Sequence, residues 1–268
     1  MDFKFGFIGC GNMGGALLEA TAKTVDASRL YICDYDVKKT ARYAETLGVE
    51  VTDAETLVAT CDFIFLGVKP QMLEALLTGV SATLKKRTDA PVLVSMAAGI
   101  SIAAVEKMAR IACPVIRIMP NMPVAVGAGM ILYDTNEACN SVVTEAFCNA
   151  MSAAGRLDRL PEKMIDAASA VSGCGPAFVF LFAEALADGA VKCGLPRDKA
   201  RTYAAQTLIG AGEMLLRTGR HEGELKDAVC SPGGTTIVGV EALESGAFRA
   251  SAMQAVIAAY ERTLELKK

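Results

Sequence analysis

Through the first 161 residues, short apolar or β-branched runs alternate with stretches whose apolar positions recur every three or four residues, the pattern of βαβ units around a parallel sheet. The runs Phe5–Ile8, Leu30–Cys33, Phe63–Leu66, Val92–Ser95 and Val115–Ile118 predict strands, and Gly14–Thr24 and Lys38–Leu47 predict helices between them. Beyond Pro123 the pattern predicts a strand over Gly129–Tyr133, a helix over Glu137–Ala153 and a short edge strand over Arg156–Leu160. From about Met164 the strand signals stop. Ala- and Leu-rich helical patterns follow, broken at Gly173-Cys174-Gly175-Pro176, Gly194-Leu195-Pro196 and Ser231-Pro232-Gly233-Gly234. The expectation is an α/β chain of two domains: a doubly wound parallel sheet over residues 1–161 and an all-α domain over residues 162–268. The segment Ala177–Lys192 is apolar around most of its circumference, which predicts a subunit interface, the alternative being the central helix of a monomeric bundle.

Composition narrows the function. With 268 residues, 52% of them hydrophobic, the chain can bury a sizeable core, and a net charge of −3 without a basic run argues against a nucleic-acid partner. The start, Met1-Asp2-Phe3-Lys4-Phe5, carries no basic n-region, and no apolar stretch of about 18 residues is evident, so the expected setting is the cytoplasm with no membrane partner. Nine scattered cysteines without a Cys-x-x-Cys, and one histidine, do not make a metal site and read as small buried apolar residues.

The candidate chemistry begins at Gly9-Cys10-Gly11-Asn12-Met13-Gly14, which follows a strand and opens a helix, where a Rossmann unit holds a dinucleotide pyrophosphate. The first glycine permits the turn, the second lets the pyrophosphate approach the backbone, the third packs helix on strand, and the helix start supplies N–H groups. Asp34 lies about 20 residues on, where a carboxylate binds ribose hydroxyls and favours NADH. Against that, Lys38 and Lys39 could pair a 2′-phosphate, and Asp34 could simply cap the next helix. FAD could use the same turn, but nothing else in the sequence argues for it.

At this point an ordered series of segments resembles the pyrroline-5-carboxylate reductase family over essentially the whole chain. The series runs Phe7-Ile8-Gly9-Cys10-Gly11-Asn12-Met13-Gly14, Val68-Lys69-Pro70, Ser95-Met96-Ala97-Ala98-Gly99-Ile100, Arg117-Ile118-Met119-Pro120-Asn121-Met122-Pro123 and Ser172-Gly173-Cys174-Gly175-Pro176-Ala177-Phe178. It ends with Leu225-Lys226-Asp227-Ala228-Val229-Cys230-Ser231-Pro232-Gly233-Gly234-Thr235-Thr236 and Leu243-Glu244-Ser245-Gly246-Ala247-Phe248-Arg249. The resemblance implies reduction of 1-pyrroline-5-carboxylate to L-proline, the last step of proline biosynthesis, with NADPH or NADH. It also implies a helical domain of the 6-phosphogluconate dehydrogenase C-terminal kind, and entwined homodimers, often arranged as decamers, in which that domain completes a partner's active site.

Site residues follow. Ile8 to Gly14, Asp34, Val68, Lys69, Pro70, Met96, Ala97, Ala98 and Asn121 are expected to line the coenzyme; the two middle groups follow Phe63–Leu66 and Val92–Ser95, at the carboxyl edge of the sheet. The loop Ser231, Gly233, Gly234, Thr235 and Thr236 can converge N–H groups on a carboxylate. The resemblance places the Thr236 hydroxyl beside the ring nitrogen, as the catalytic residue, and lets Glu162 reach the substrate pocket; Thr236 could also be an N-cap. A β-hydroxyacid dehydrogenase would need a lysine soon after Gly173-Cys174-Gly175-Pro176, and Ala177-Phe178-Val179-Phe180 stands there instead. Lys192 reads as a helix-end charge and His221 as a surface histidine. A non-catalytic dinucleotide sensor would have no use for the Ser231–Thr236 loop.

Overall fold

A computed structural model describes residues 2–265; the outermost ends of the two expected domains, residue 1 and residues 266–268, lie outside the described residues. The first half alternates strand and helix: β1 (Phe5–Ile8), α1 (Asn12–Thr21), β2 (Leu30–Cys33), α2 (Val37–Leu47), β3 (Glu50–Val51), α3 (Ala54–Thr60), β4 (Phe63–Leu66), α4 (Pro70–Gly79), α5 (Ser81–Lys86), β5 (Val92–Ser95) and α6 (Ile102–Ala109). It closes with β6 (Val115–Met119), β7 (Gly129–Thr135), α7 (Ser141–Met151) and β8 (Gly155–Arg159). The eight strands run in the order β3-β2-β1-β4-β5-β6-β7-β8, all parallel except the β6–β7 pair.

Strand periodicity splits the core between the two faces. Phe5 and Phe7 of β1 and Phe63 and Phe65 of β4 enter one cluster with Leu17 and Phe147, while Ile8, Ile64 and Leu66 enter the other with Leu73 and Val105. The one strand the pattern missed, β3, has two exposed residues and so carries no hydrophobic signal. The helix expected from Glu137 starts later, at Ser141, because the Asn140 side chain accepts from the Val143 N–H and caps it.

Six further segments are helical up to the last described residue: α8 (Glu162–Ser172), α9 (Gly175–Lys192), α10 (Arg197–Thr218), α11 (Glu222–Val229), α12 (Thr235–Ser245) and α13 (Phe248–Glu265), with 3-10 turns confined to the residues before α8. Packing divides the chain into one compact unit of residues 2–173 with 260–265, and a second, Cys174–Ala259. The change from strand to helix comes at 162, but α8 stays with the sheet because Arg117 in β6 holds it. The buried Arg117 guanidinium bonds Glu162 Oε1 at 3.0 Å and Asp166 Oδ1 at 3.1 Å.

The second unit differs in its interior. Its buried cluster consists of Ala187, Ala200 and Ala204, while Leu181 and Leu216 are 69% and 71% exposed. Contrary to the expectation of no long apolar stretch, Glu162–Lys192 is long and apolar enough by length and composition to cross a membrane. The α8 part of it is ion-paired to Arg117 of the sheet.

Candidate active site

The order 3-2-1-4-5-6 places the reversal of strand order between the parallel neighbours β1 and β4, and the crevice outside their carboxyl ends is where an open α/β sheet takes a ligand. The turn after β1 is shaped by two close approaches. Gly9 has φ +92°, and a Cβ on Gly14 would run into the Gly9 carbonyl oxygen, so neither position accepts a side chain. Gly11 is different: a Cβ there would meet nothing within 4 Å and would project into open space. It is the N-cap of α1, and no side chain caps that helix, so the first N–H groups face outward beside a bare glycine ledge. A pyrophosphate fits such a ledge through backbone donors and the helix dipole.

The remaining residues expected around the coenzyme fall into two groups. Asn12 is exposed and Met13, Val68 and Met96 half-buried along the same sheet edge; Lys69 is the N-cap of α4, with Pro70 as its first residue, and Ala98 is exposed in the turn after β5. Ile8, Cys10 and Ala97 are buried in the core clusters, so their side chains pack within the protein. The Cys10 N–H donates to Asp34 Oδ2 at 2.7 Å, and burial pushes the Cys10 thiol up to about 12. Asn121 is nearly buried. Its Nδ2 donates to the Ser172 carbonyl and its Oδ1 accepts from the Met130 N–H, which braces β7 against the end of α8.

Asp34 does not cap α2. That role belongs to Asp36, whose carboxylate accepts from the Lys38 N–H, while Asp34 Oδ1 accepts from the Asp36 N–H at 2.9 Å. Both Asp34 oxygens are therefore aimed at backbone groups of the protein.

In the second unit, Gly233 has φ +66° and bends the loop ahead of α12. The N-cap of α12 is Gly234, and no side chain caps the helix. Thr236 is thus the second helical residue and not the N-cap. No hydrogen bond to the Thr235 or Thr236 hydroxyl is found among the described residues, and both are exposed. Ser231 sits beside Gly234, whose N–H donates to the Ser231 carbonyl. Uncapped N–H groups with three hydroxyls at one helix start can bind a carboxylate.

Glu162 lies elsewhere, at the start of α8. Its side chain is 28% exposed, with Oε1 accepting from Arg117 Nη1 and from the Ile102 N–H at 2.8 Å. Sequence reasoning missed this network. Its signal was present: an arginine inside an apolar strand, and two carboxylates four residues apart on a helix. His221 caps α11, accepting from the Gly223 N–H, and Lys192 stands in the last turn of α9.

Comparison with known proteins agrees with this arrangement. Residues 162–266 match a family model described as pyrroline-5-carboxylate reductase dimerisation, and residues 4–99 match one described as NADP oxidoreductase coenzyme F420-dependent. The chain is 42% identical over 268 residues to "Pyrroline-5-carboxylate reductase 3" of Danio rerio, covering 99% of this chain and 92% of the relative. It resembles the solved structure of a pyrroline-5-carboxylate reductase from Coxiella burnetii, with a TM-score of 0.92, 31% identity and full coverage of both chains. A Plasmodium falciparum pyrroline carboxylate reductase solved with NADP bound matches with a TM-score of 0.87 and 31% identity, over 100% of this chain and 99% of that one. Likeness at this level runs through the coenzyme turn, the sheet and the helical half without a break, and by it the chain belongs to the pyrroline-5-carboxylate reductase family of NAD(P)H-dependent oxidoreductases.

Proposed function

We propose that this chain reduces 1-pyrroline-5-carboxylate to L-proline at the expense of NAD(P)H, the last step of proline biosynthesis. The observation that carries the reading is full-length identity to relatives of that name, at 42% in the Danio rerio protein. Residues 1–161 then form the coenzyme domain and residues 162–268 the dimerisation and substrate domain.

The substrate is a small ring with one carboxylate and a C=N bond. The N–H groups at the start of α12, with the Ser231 and Thr235 hydroxyls and the Gly233-Gly234 bend, hold that carboxylate. Thr236 Oγ1 hydrogen-bonds the ring nitrogen, where a proton must reside once the carbon has been reduced. Bound NAD(P)H supplies the hydride. The Gly9–Gly14 turn, with Asn12, Met13 and the loops Val68-Lys69-Pro70 and Met96-Ala97-Ala98, orients it; Ile8, Cys10, Ala97 and Asn121 act through their backbone or by bracing neighbours. A protonated imine is already an electrophile, so proximity and orientation carry most of the acceleration. Glu162 serves this site by fixing α8 to β6.

Association of two copies through the apolar helices of the second unit supplies the interior that unit lacks. A decamer is five such dimers. The lysine of β-hydroxyacid dehydrogenases is missing from the start of α9, which disfavours that chemistry. The setting we infer is soluble and cytoplasmic, the apolar face of α9 being covered by a second copy of the chain.

The deciding assay mixes purified protein with synthetic pyrroline-5-carboxylate and follows oxidation of NADH and NADPH in parallel. Turnover with at least one coenzyme is expected; turnover with neither overturns the reading.

A further inference from the structure

We infer that Glu162 is a positioning residue for the nicotinamide end of the coenzyme: supported by Arg117, it bonds the first N–H of α6 and so fixes the loop of residues 96–101. Its role rests on the reading above that Met96, Ala97 and Ala98 lie along the bound coenzyme.

One row of side chains holds that loop at both ends. Ser95, the last residue of β5, pairs in register with Arg117 of β6, and Arg117 with Asp134 of β7. Residues paired across a sheet point to the same face, so a hydroxyl, a guanidinium and a carboxylate stand side by side. The buried Ser95 Oγ accepts from the Ala97 N–H at 3.4 Å, which fastens the loop where it leaves β5. Gly99, at φ +77°, turns the chain back, and the Ile100 N–H donates to the Ala97 carbonyl at 3.3 Å. The loop then enters α6, whose start has two fasteners. Ser101 Oγ accepts from the Ala104 N–H at 3.2 Å, and Glu162 Oε1 accepts from the Ile102 N–H at 2.8 Å. The second fastener comes from another helix and sets a carboxylate at the positive end of α6.

Glu162 is itself set firmly. Its main-chain N–H donates to Asp134 Oδ2 at 2.7 Å and its Oε1 accepts from Arg117 Nη1 at 3.0 Å, so neighbouring members of the row fix both its backbone and its side chain. Arg117 commits its other terminal nitrogen, Nη2, to Asp166, and its Nε is buried without a hydrogen-bond partner among the described residues. A guanidinium that leaves one buried donor unmet while aiming two at α8 is placed for the sake of those carboxylates.

The consequence is geometric. One oxygen atom, Glu162 Oε1, joins the sheet through Arg117 to the start of α6, and the loop between Ser95 and Ile102 is closed against that single cluster. An apolar side chain at 162 could fill the same space but would give the Ile102 N–H no acceptor and no direction. Hydride transfer depends on the placement of the nicotinamide over the ring carbon, so a loop freed at one end loses orientation before it loses fold.

The test is calorimetric titration of the full-length protein, without imine substrate, with NADPH and 2′-phospho-ADP-ribose and with NADH and ADP-ribose. Within each pair only the dihydronicotinamide differs, and in the wild type it should add to affinity in at least one pair. Glu162→Ala should weaken the full coenzyme of that pair by about five- to ten-fold, the scale of one hydrogen bond, while the nicotinamide-free ligand binds as before. Glu162→Gln, which keeps an acceptor for the Ile102 N–H, should stay within about two-fold of the wild type. Ser101→Ala opens the other fastener of α6 without disturbing the buried charges; it should show the same selective loss, and it gives the answer should loss of Glu162 prevent folding. A merely structural role moves both members of a pair or neither. Equal weakening of the two, or unchanged binding in both alanine variants, therefore overturns the positioning role. A wild type that gains nothing from the dihydronicotinamide in either pair overturns the loop assignment on which that role rests. Because no reduction is measured, a selective loss in a protein that fails to turn over the imine would condemn the substrate reading alone.

Discussion

Thr236 occupies the second position of α12, exposed, without a recorded partner for its hydroxyl among the described residues. Removing that hydroxyl breaks no structural bond, and alanine is the better helix former. Thr236→Ala should therefore keep its melting temperature while kcat falls by about 10- to 100-fold, the scale of one transition-state hydrogen bond of about 1–3 kcal/mol. Steady-state kinetics beside a thermal melt separates the two effects, and unchanged turnover removes Thr236 from the chemistry. Buried thiols give a second residue-scale expectation. Burial holds both Cys10 and Cys61 at about 12, against 9.0 for an ordinary thiol. An unfolded chain ionises these groups first, so the stability they permit is complete below pH 9 and is lost as pH climbs toward 12, by at most about 1.4 kcal/mol per pH unit per thiol. Denaturant melts in reducing buffer should show that alkaline loss, and Cys10→Ala should shrink it; a flat profile from pH 8 to 11 would contradict it. At this scale the glycine turn was legible because only glycine suits Gly9 and Gly14, positions set by local backbone geometry. The partners of Asp34 within the protein were not, since the Cys10 and Asp36 N–H groups reach it only through the way the turn and the strand end meet in space.

Among the elements, α8 shows how one buried charge can decide where a helix belongs. Arg117 is 2% exposed and reaches Glu162 and Asp166 one turn apart on α8. Arg117→Ala would leave the buried Asp166 and the part-exposed Glu162 without their cation, and should destabilise the sheet unit by about 3–5 kcal/mol. Urea denaturation of the variant measures this directly, and a loss below about 1 kcal/mol would show that the carboxylates find other partners. The strands were readable wherever both faces are covered, as in β1 and β4, since burial on two sides demands continuous apolar runs. The edge strand β3 escaped for the opposite reason, having no buried side chain to mark it. Helix starts were misplaced by a few residues where a side-chain cap such as Asn140, and not periodicity, sets the first turn.

At the scale of the whole molecule, the two units rest on different sources of stability. The sheet unit buries phenylalanines and leucines in two full clusters, whereas the helical unit buries three alanines and leaves Phe180, Leu181, Leu216 and Val238 in the open. Phe180→Glu/Leu181→Glu should convert the assembly to monomers, read as a drop in mass by light scattering; an unchanged mass would place the interface on other helices. The all-round apolar character of α9 was visible in the sequence because it needs only a helical count. The number of subunits was not, since a face that needs covering says nothing about how many copies assemble.

The three-alanine interior of the helical unit has a further meaning for how the protein comes into being. A freshly made chain can complete its nucleotide-binding half from its own residues, but the other half waits for a second copy to arrive. Maturation is then a second-order process. At low expression or high dilution, catalytic activity should appear with a lag that shortens as subunit concentration rises, and in that interval the unassembled helices are the part open to proteases and chaperones.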